Sequence, residues 1–419
     1  MWYQPRTRGW WLLALAGFLT TARAADDLAL DQAVAQALAH SAVVRAADQA
    51  VARARAEAVS AGILPAARLQ ATPLYSDERG LDIEAVVSLP LYDATLRPAQ
   101  RVARAALAAA LCDADEAQLD LVATTSATWH RLLAAQRQAE AVANDLALAQ
   151  VLRAAAAKAR DIGERPGVDV LRADLELGLT EQAQADAEAA VELASGELAR
   201  LTGRDLATPV RATAEAQPWP KLVRAALLAR ADERPRVKAA RLRVDEARAL
   251  VGLAKAGRST GVAVEGFRED REHGLRVAVE LPLFDRGRQA GEIRAAEARL
   301  AEAEQQLEAA RQAAAMSVDT AWLAAESAER RLLRHQEAVL ARAQRLTELT
   351  TQAYGAGELS LLDVLDARRR LAEARVTSVA LEAAASEALT QLQAAVGADL
   401  RATDTLVTPT ALTLPTGAP

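Results

Sequence analysis

The sequence predicts a mostly α-helical protein with a small β part, in which one plan of helix, β-hairpin, long helix and return helix occurs twice. Alanine dominates the composition together with Leu, Glu, Arg and Gln. Such a composition is typical of long, closely packed helices, because Ala has the highest helix propensity. Only 3% of the residues are aromatic, which is few for a large compact core. The third observation is an internal repeat.

The repeat is visible in two motifs at nearly constant spacing. The sequence VSLPLYD at 87–93 returns as VELPLFD at 279–285, a shift of 192 residues. Farther along, Asp169-Val170-Leu171 returns at Asp363 with a shift of 194 residues. Trp129 and Trp322 are 193 residues apart, and we expect both to serve packing within long helices. Several anchors at one spacing indicate a duplicated chain.

The first 24 residues have the pattern of a secretory signal peptide. Arg6 and Arg8 precede an apolar run from Trp10 to Leu19, and small residues follow at 22–24. Cleavage before Ala25 is therefore predicted. The alternative is an N-terminal membrane anchor, for which the apolar run is short.

Each repeat contains the same elements in the same order. The first repeat is expected at 25–203 and the second at 221–397, with a proline-rich linker at 204–220 and a disordered tail at 398–419. Within the repeats, the predicted elements are a first helix (30–62 and 221–257), a hairpin (67–91 and 261–283), a long helix (98–162 and 286–353), a glycine-containing turn and a return helix to Gly203 or Gly397. Period-2 patterning around a polar, Gly-containing turn predicts the hairpins.

The hairpins indicate how the chain meets a membrane. Four strands cannot close a barrel, and an open sheet in lipid leaves the backbone groups of its edges unpaired. Three chains would supply twelve strands, an even number that can close. Four aromatic residues lie at predicted strand ends and are expected to form an interfacial belt: Tyr75, Tyr92, Phe267 and Phe284. The alternative is that these rings cover a small soluble sheet.

The motifs together resemble those of the TolC-type outer-membrane efflux factors. The residues that carry the resemblance are Leu-Pro-Leu-Tyr-Asp at 89–93, Leu-Pro-Leu-Phe-Asp-Arg-Gly-Arg at 281–288 and Gly-Glu-Leu-Ser-Leu-Leu-Asp-Val-Leu-Asp-Ala at 357–367. The resemblance covers about 28–397. Within that family, the chain looks most similar to the branch that serves heavy-metal cation pumps.

The resemblance implies a fold, a location and partners. It implies a homotrimer with a 12-stranded β-barrel in the lipid of the outer membrane and a long α-helical barrel in the periplasm. It further implies a passive exit duct of a tripartite efflux or secretion system, with a periplasmic adaptor protein and an inner-membrane pump as partners. The sequence does not identify the exported compound, because a wide duct leaves selection to the pump.

The resemblance also assigns residues near the two periplasmic turns. An acidic pair, Asp363 and Asp366, is expected to surround a narrow entrance, with Asp169 and Arg172 at the corresponding places of the first repeat. Like charges in such a ring repel and favour cations, and Arg172 is expected to bridge to an acidic neighbour. The residues expected to dock the adaptor are Gly163, Glu164, Arg165, Gly167, Gly355, Gly357, Glu358, Leu359 and Ser360. The alternative is that these carboxylates are ordinary solvent-exposed charges on a helix.

Other functional classes find little support in the sequence. The net charge of −6 offers no basic surplus for nucleic acid. Cys112 is the single cysteine, and the four histidines show no i, i+4 ligand pair, so no metal site and no cofactor are expected. No nucleophile elbow or phosphate loop is present, so we do not expect an enzyme. Two alternatives to the duct remain: a periplasmic coiled-coil adaptor of an exporter, and a soluble helical scaffold.

Overall fold

The computed structural model describes residues 26–76, 80–162, 167–213, 219–220, 222–257, 261–269, 272–280, 287–398 and 400. The elements of the first repeat are β1 (Asp26–Leu28), α1 (Leu30–His40), α2 (Ala42–Ser60), β2 (Arg68–Ser76), β3 (Gly80–Asp93), α3 (Leu96–Asp161) and α4 (Gly167–Thr202). Next come β4 (Val210–Ala212), α5 (Arg224–Ala229), a 3₁₀ turn (Ala231–Glu233), α6 (Pro235–Ala256), β5 (Gly261–Glu269), β6 (Glu272–Glu280), α7 (Arg288–His335), a π turn (Gln336–Leu340), α8 (Ala341–Gly355) and α9 (Leu361–Val396). The predicted order of elements and the mostly α fold class are confirmed. The predicted signal peptide and nearly all of the predicted tail lie outside the described residues.

The longest element, α3, has 66 residues and is therefore about 100 Å long. Its start is set by Asp93 of the Leu-Pro-Leu-Tyr-Asp motif, whose carboxylate accepts hydrogen bonds from the backbone N–H (2.8 Å) and the hydroxyl (2.6 Å) of Thr95. These two hydrogen bonds stabilise the turn that connects the end of β3 to the first turn of α3. The counterpart in the second repeat extends through α7, the π turn and α8. The sequence did not predict the π turn, because one extra residue in a turn hardly changes the apolar pattern.

The first helix of each repeat is broken, whereas the sequence predicted it continuous. In the first repeat the break is at Ser41, which has an extended backbone and whose hydroxyl accepts hydrogen bonds from the N–H groups of Val43 and Val44, capping α2. In the second repeat Arg234 is extended and Pro235 begins α6. A proline disfavours helical conformation in the residue before it. Ser41 and Arg234 are 193 residues apart, so the break is part of the duplicated plan.

The predicted linker at 204–220 contains a strand that the sequence did not indicate. β4 pairs in parallel with β1 in a two-stranded sheet. Beside this sheet the indole of Trp129 is buried, and its Nε1–H donates to the carbonyl of Leu28 at 2.9 Å. Strands of three residues are too short for an alternating pattern to be recognised.

The two repeats are joined by the packing of α3 against α6 and, in an antiparallel contact, against α9. Ion pairs mark the register: Arg131 with Glu387 (3.3 Å), Arg137 with Glu382 (2.9 Å) and Asp145 with Arg375 (3.0 Å). Burial raises the pKa of Asp145, and the nearby Arg375 opposes this shift. Alanine, Leu and Val make up most of the buried positions of α9, which allows the helix axes to approach closely.

The four long strands form one antiparallel sheet in the order β2-β3-β5-β6. The hairpins of the two repeats therefore meet at β3 and β5, and β2 and β6 are the edges. Among the described helices, none is both long and apolar enough to cross a membrane.

We predict that Trp129→Phe destabilises the chain by about 1 kcal/mol more than Trp322→Phe, since a buried hydrogen bond contributes about that much. Trp129 donates to Leu28, whereas the Trp322 Nε1 has no hydrogen-bond partner within the described residues. The measurement is equilibrium urea unfolding of the mature chain in detergent. Equal losses in the two variants would contradict the assigned role of Trp129 in anchoring β1.

Candidate functional site

One face of the four-stranded sheet is apolar and exposed over most of its length, and Arg268 and His273 lie on this face beside the β5–β6 turn. Adjacent positions across the strands give the row Leu69, Val87, Gly266 and Leu275, followed by the row Leu89, Val264 and Val277. Leu275 is 81% and Val277 is 66% exposed. A sheet that buries one face in a protein core keeps such residues covered. The apolar face of this sheet has no partner within the described part of the chain.

The opposite face of the sheet is polar. A single row across all four strands consists of Arg68, Ser88, Glu265 and Arg276. Arg276 Nε donates to Glu265 Oε2 at 2.8 Å. Gln70, Thr72 and Glu84 belong to the same face. This alternation of an apolar face with a polar face is that of a strand between lipid and water.

Two residues of the predicted aromatic belt, Tyr92 and Phe267, lie on opposite faces of the sheet. Tyr92 pairs with Val262 beside a register shift at Pro90/Tyr92 and is exposed on the apolar face. Phe267 instead belongs to the polar face, where its ring lies 5.4 Å from the guanidinium carbon of Arg276 and covers Gly274 of β6. Phe267 lies near the β5–β6 turn, two residues from Glu265 and on the same face, and its part in a belt stays a prediction. The backbone of Tyr75 pairs with Leu81 in β2, and Phe284 lies outside the described residues.

The helical turn of the second repeat is shaped by Gly357. Gly357 has a φ of +79°, a left-handed conformation that L side chains rarely adopt. The N–H of Glu358 then donates to the carbonyl of Ala353 at 2.9 Å and closes the end of α8. Gly355, Gly357, Glu358 and Ser360 are exposed, whereas Leu359 is half-buried. In the first repeat Gly167 begins α4, and Gly163, Glu164 and Arg165 lie outside the described residues.

Asp363 forms a reciprocal cap with Ser360 at the start of α9. The Asp363 carboxylate accepts hydrogen bonds from the hydroxyl (2.6 Å) and the backbone N–H (2.9 Å) of Ser360, and the Asp363 N–H donates back to the hydroxyl at 3.4 Å. These hydrogen bonds hold the pKa of Asp363 below its ordinary value. Within one chain the cap therefore lowers the pKa of Asp363, whereas a ring of carboxylates would raise it. The sequence analysis missed this cap, although Ser-x-x-Asp before an apolar run is an N-cap pattern.

The other two acidic residues of the predicted gate each have an arginine partner. Asp366 accepts from Arg370 Nε at 3.0 Å on the next turn of α9. Asp169 is buried, and Arg172 Nη1 approaches its carboxylate at 3.4 Å. Arg172 thus has an acidic neighbour on its own helix.

A small apolar cluster joins the two turns. Leu361 and Leu365 of α9 pack with Val170 and Ala173 of α4 and with Ala156 of α3. Arg369 of α9 also reaches Glu176 of α4 at 2.9 Å. The predicted gate residues of both repeats are therefore brought to the same end of the helices. Among the residues whose positions are described, no group of three or more His, Cys, Asp or Glu side chains is arranged to hold a metal ion.

The comparisons with known proteins match this architecture. Residues 228–398 match the sequence model of the family described as Outer membrane efflux protein. The match covers most of the second repeat. No curated protein matches the chain by sequence.

Solved structures show that the whole efflux-protein fold is present. The outer membrane protein VceC of Vibrio cholerae superposes with a TM-score of 0.73 at 21% identity, covering 88% of this chain and 96% of that one. CusC gives 0.74 at 20% identity, covering 88% and 92%. The CmeC outer membrane channel of Campylobacter jejuni gives 0.72 at 17% identity, covering 88% and 85%. The predicted resemblance is confirmed over both repeats.

We predict that Ser360→Ala loosens the first turn of α9. The variant removes the hydroxyl that donates to the Asp363 carboxylate and accepts from the Asp363 N–H. Hydrogen exchange of a peptide spanning 360–366 should accelerate. Thr377→Ala is the matched control, since its hydroxyl donates only to the carbonyl of Glu373 within the same helix. Equal exchange in wild type and Ser360→Ala would contradict the cap.

The cap also has a predicted pH dependence. The folded pKa of Asp363 is lowered, so the protection it gives is complete above the ordinary carboxyl pKa of about 4 and is lost as the pH falls through the lowered value. Corrected for intrinsic exchange rates, protection of 360–366 should be flat from about pH 8 to 5. A loss of protection centred near pH 6 would show that another group controls the turn.

Proposed function

We propose that the chain is the outer-membrane exit duct of a tripartite exporter and that it works as a homotrimer. The observation that carries the proposal is the sheet with one exposed apolar face, one polar face and two unpaired edges. Three such sheets joined edge to edge give a closed twelve-stranded barrel, with the apolar faces toward lipid and the row of Arg68, Ser88, Glu265 and Arg276 toward water.

The helices supply the second part of the duct. α3 is about 100 Å long, about three times the hydrocarbon thickness of a bilayer. α3 carries charged residues along its length, and charged side chains are costly inside a membrane. We therefore propose that the helices form a barrel in the periplasm, continuous with the sheet above it.

The turns are the proposed meeting point with the partners. An exposed, glycine-shaped reversal at Gly355, Gly357, Glu358 and Ser360, together with Gly167 and the neighbouring turn of the first repeat, is where a periplasmic adaptor would dock. The adaptor would connect the duct to an inner-membrane pump that supplies the energy. Service to a heavy-metal cation pump stays a prediction from the sequence.

The proposed gate lies at the same end. In a trimer, Asp363 and Asp366 would place six carboxylates around one axis, with Asp169 and Arg172 beside them. The contacts of these residues suggest how the closed state is held: Asp366 is tied to Arg370, Arg172 faces Asp169, and Asp363 stiffens the turn through Ser360. Opening would require these short-range contacts to rearrange.

The alternative assignments fit the sheet less well. A periplasmic adaptor or a soluble scaffold would leave Leu275, Val277 and the neighbouring apolar side chains in water. Exposed apolar surface of this kind marks a contact with lipid or protein.

We predict that Val277→Arg prevents stable insertion into the outer membrane, whereas Ser88→Arg is tolerated. An arginine on the lipid face costs about 2–4 kcal/mol at the bilayer midplane. Ser88 lies on the polar face beside Glu265, which can pair with the new charge. The measurement is the amount of heat-modifiable trimer in outer-membrane fractions. Equal trimer yields for both variants would contradict the assignment of the two faces, and a monomeric, detergent-independent wild type would refute the duct itself.

We predict that the double variant Asp363→Asn, Asp366→Asn conducts more than wild type and is blocked less by a multivalent cation added on the periplasmic side. Asparagine keeps an acceptor for the Ser360 cap while removing the charges that attract cations and hold Arg370. Single-channel recording in planar bilayers measures both effects. The control is Glu304→Gln, Glu308→Gln, an exposed acidic pair on α7 far from the turn. Unchanged conductance and unchanged block in the aspartate variant would remove the gate assignment.

A further inference from the structure

Two basic side chains interrupt the apolar face of the sheet. Arg268 of β5 pairs with His273 of β6, and both are exposed. Their level follows that of Gly266 and Leu275 on the same face, because every second residue of a strand shares a face. The other side chains described on this face are aliphatic, apart from the ring of Tyr92. The pair is therefore an exception that needs a physical reason.

The chain supplies no carboxylate to this pair among the side chains described on the apolar face. Glu84, Glu265 and Glu272 lie on the polar face, as the register of the strands requires. Glu265 is already paired there with Arg276 at 2.8 Å. The counter-charge for the basic pair is thus absent from its own face of the sheet within the described residues.

A neighbouring copy would not supply the counter-charge either. In the proposed trimer, the edge strand β6 is joined by β2 of the next copy. The side chains of β2 that are described on the apolar face are Leu69, Ala71 and Pro73. An anion that meets Arg268 and His273 would therefore come from outside the protein.

The pair lies toward the end of the sheet that is remote from the helices. β5 follows α6 and β6 precedes α7, so Gly261 and Glu280 mark the helix side of this hairpin. Arg268 lies six residues beyond Val262, which is about 20 Å along the strand at about 3.4 Å per residue. The apolar band of an outer-membrane barrel is about 25 Å tall. With Val262 at its periplasmic side, the pair falls in the outer half of the band.

The hairpin that carries the pair is shorter than its neighbour. Ala71 and Ala85 are level with Arg268, and β2 and β3 stay paired for five more residues, as far as Ser76 and Gly80. This extension is about 17 Å long. Since β2 of the next copy would lie on the other side, the short hairpin would stand between two taller ones. The small side chains of Ala71 and Ala85 leave room beside Arg268.

The chemistry of the pair fits a phosphate group. The cost of an arginine on a lipid-facing surface falls from the midplane to the interface, where its long side chain reaches the head groups. A guanidinium donates two parallel hydrogen bonds to a phosphate, and an imidazole ring donates a further one. The aliphatic side chains of Leu275 and Val277, next along β6, are exposed and suited to acyl chains.

We propose that Arg268 and His273 bind the phosphate of an outer-leaflet lipid head group, with the acyl chains of that lipid lying on Leu275 and Val277. The ligand class is a lipid whose head group carries net negative charge. The inference rests on the proposed duct and deepens it, because it names a lipid partner at the outer rim. Each chain would bind one such lipid.

Lipid binding to the delipidated, detergent-solubilised trimer tests the site. The probes are phosphatidic acid, phosphatidylcholine with the same acyl chains, and inorganic phosphate, and native mass spectrometry counts the molecules bound to the intact trimer. Wild type should bind phosphatidic acid about tenfold more tightly than phosphatidylcholine, which corresponds to about 1.4 kcal/mol. The double variant Arg268→Gln, His273→Gln should lose this preference.

Two further variants separate the site from overall charge. Arg268→Lys should retain only part of the preference, because lysine keeps the charge but lacks the forked donor geometry. Arg68→Gln is the matched control, since it removes one positive charge from the polar face of the same sheet and should keep the full preference. A lower yield of any variant does not affect the measurement, because only assembled trimers are counted.

The outcomes that contradict the site are distinct from those that contradict the duct. Equal affinity of the wild-type trimer for the two lipids would overturn the inference, and so would a full preference retained by the double variant or an equal loss in Arg68→Gln. Inorganic phosphate bound as tightly as phosphatidic acid would indicate a site for the free anion and overturn the lipid assignment. A wild type that forms no trimer in detergent would refute the proposed function instead.

Discussion

In the proposed duct, the need to pair every backbone N–H and C=O group within the membrane governs the architecture of the chain. The sheet contributes four strands, and β2 and β6 leave one side unpaired. In water such edges can be hydrated, but in lipid they require partner strands. In the proposed trimer, the neighbouring copies supply these partner strands. The apolar face of the sheet has the same implication, because no layer within the described residues covers it.

The helical part is held together by close packing of the helices and by ion pairs between them. A layer of long helices made largely of alanine allows close approach of the axes, and ion pairs between α3 and α9 fix the register of the two repeats. Because the plan is duplicated, one edge of the sheet and one edge of the helical layer belong to the first repeat, and the other edges belong to the second.

The turns combine rigidity with a few short-range polar contacts. Gly357 reverses the chain, Ser360 and Asp363 cap α9, and Asp366 is tied to Arg370. None of these contacts is deeply buried, and exposed ion pairs contribute little to stability, about 0–1 kcal/mol each. A site held by such contacts can change state without disrupting the apolar cluster of Leu361, Leu365 and Val170 beneath it. This division suits a gate whose opening must not unfold the helices.

The sequence by itself determined the duplicated plan, the hairpins, the length of α3 and the acidic residues beside the turns. These features depend on local periodicity, on glycine and proline, and on repetition at a fixed spacing, all of which can be read along one chain. The tertiary structure decided which face of the sheet carries Phe267, the β1–β4 pairing, the Ser360 cap of Asp363 and the edge positions of α4 and α8. Register, pairing between distant three-residue strands, and the order of helices across a layer depend on contacts between residues far apart in the sequence, for which a single sequence carries no periodic signal.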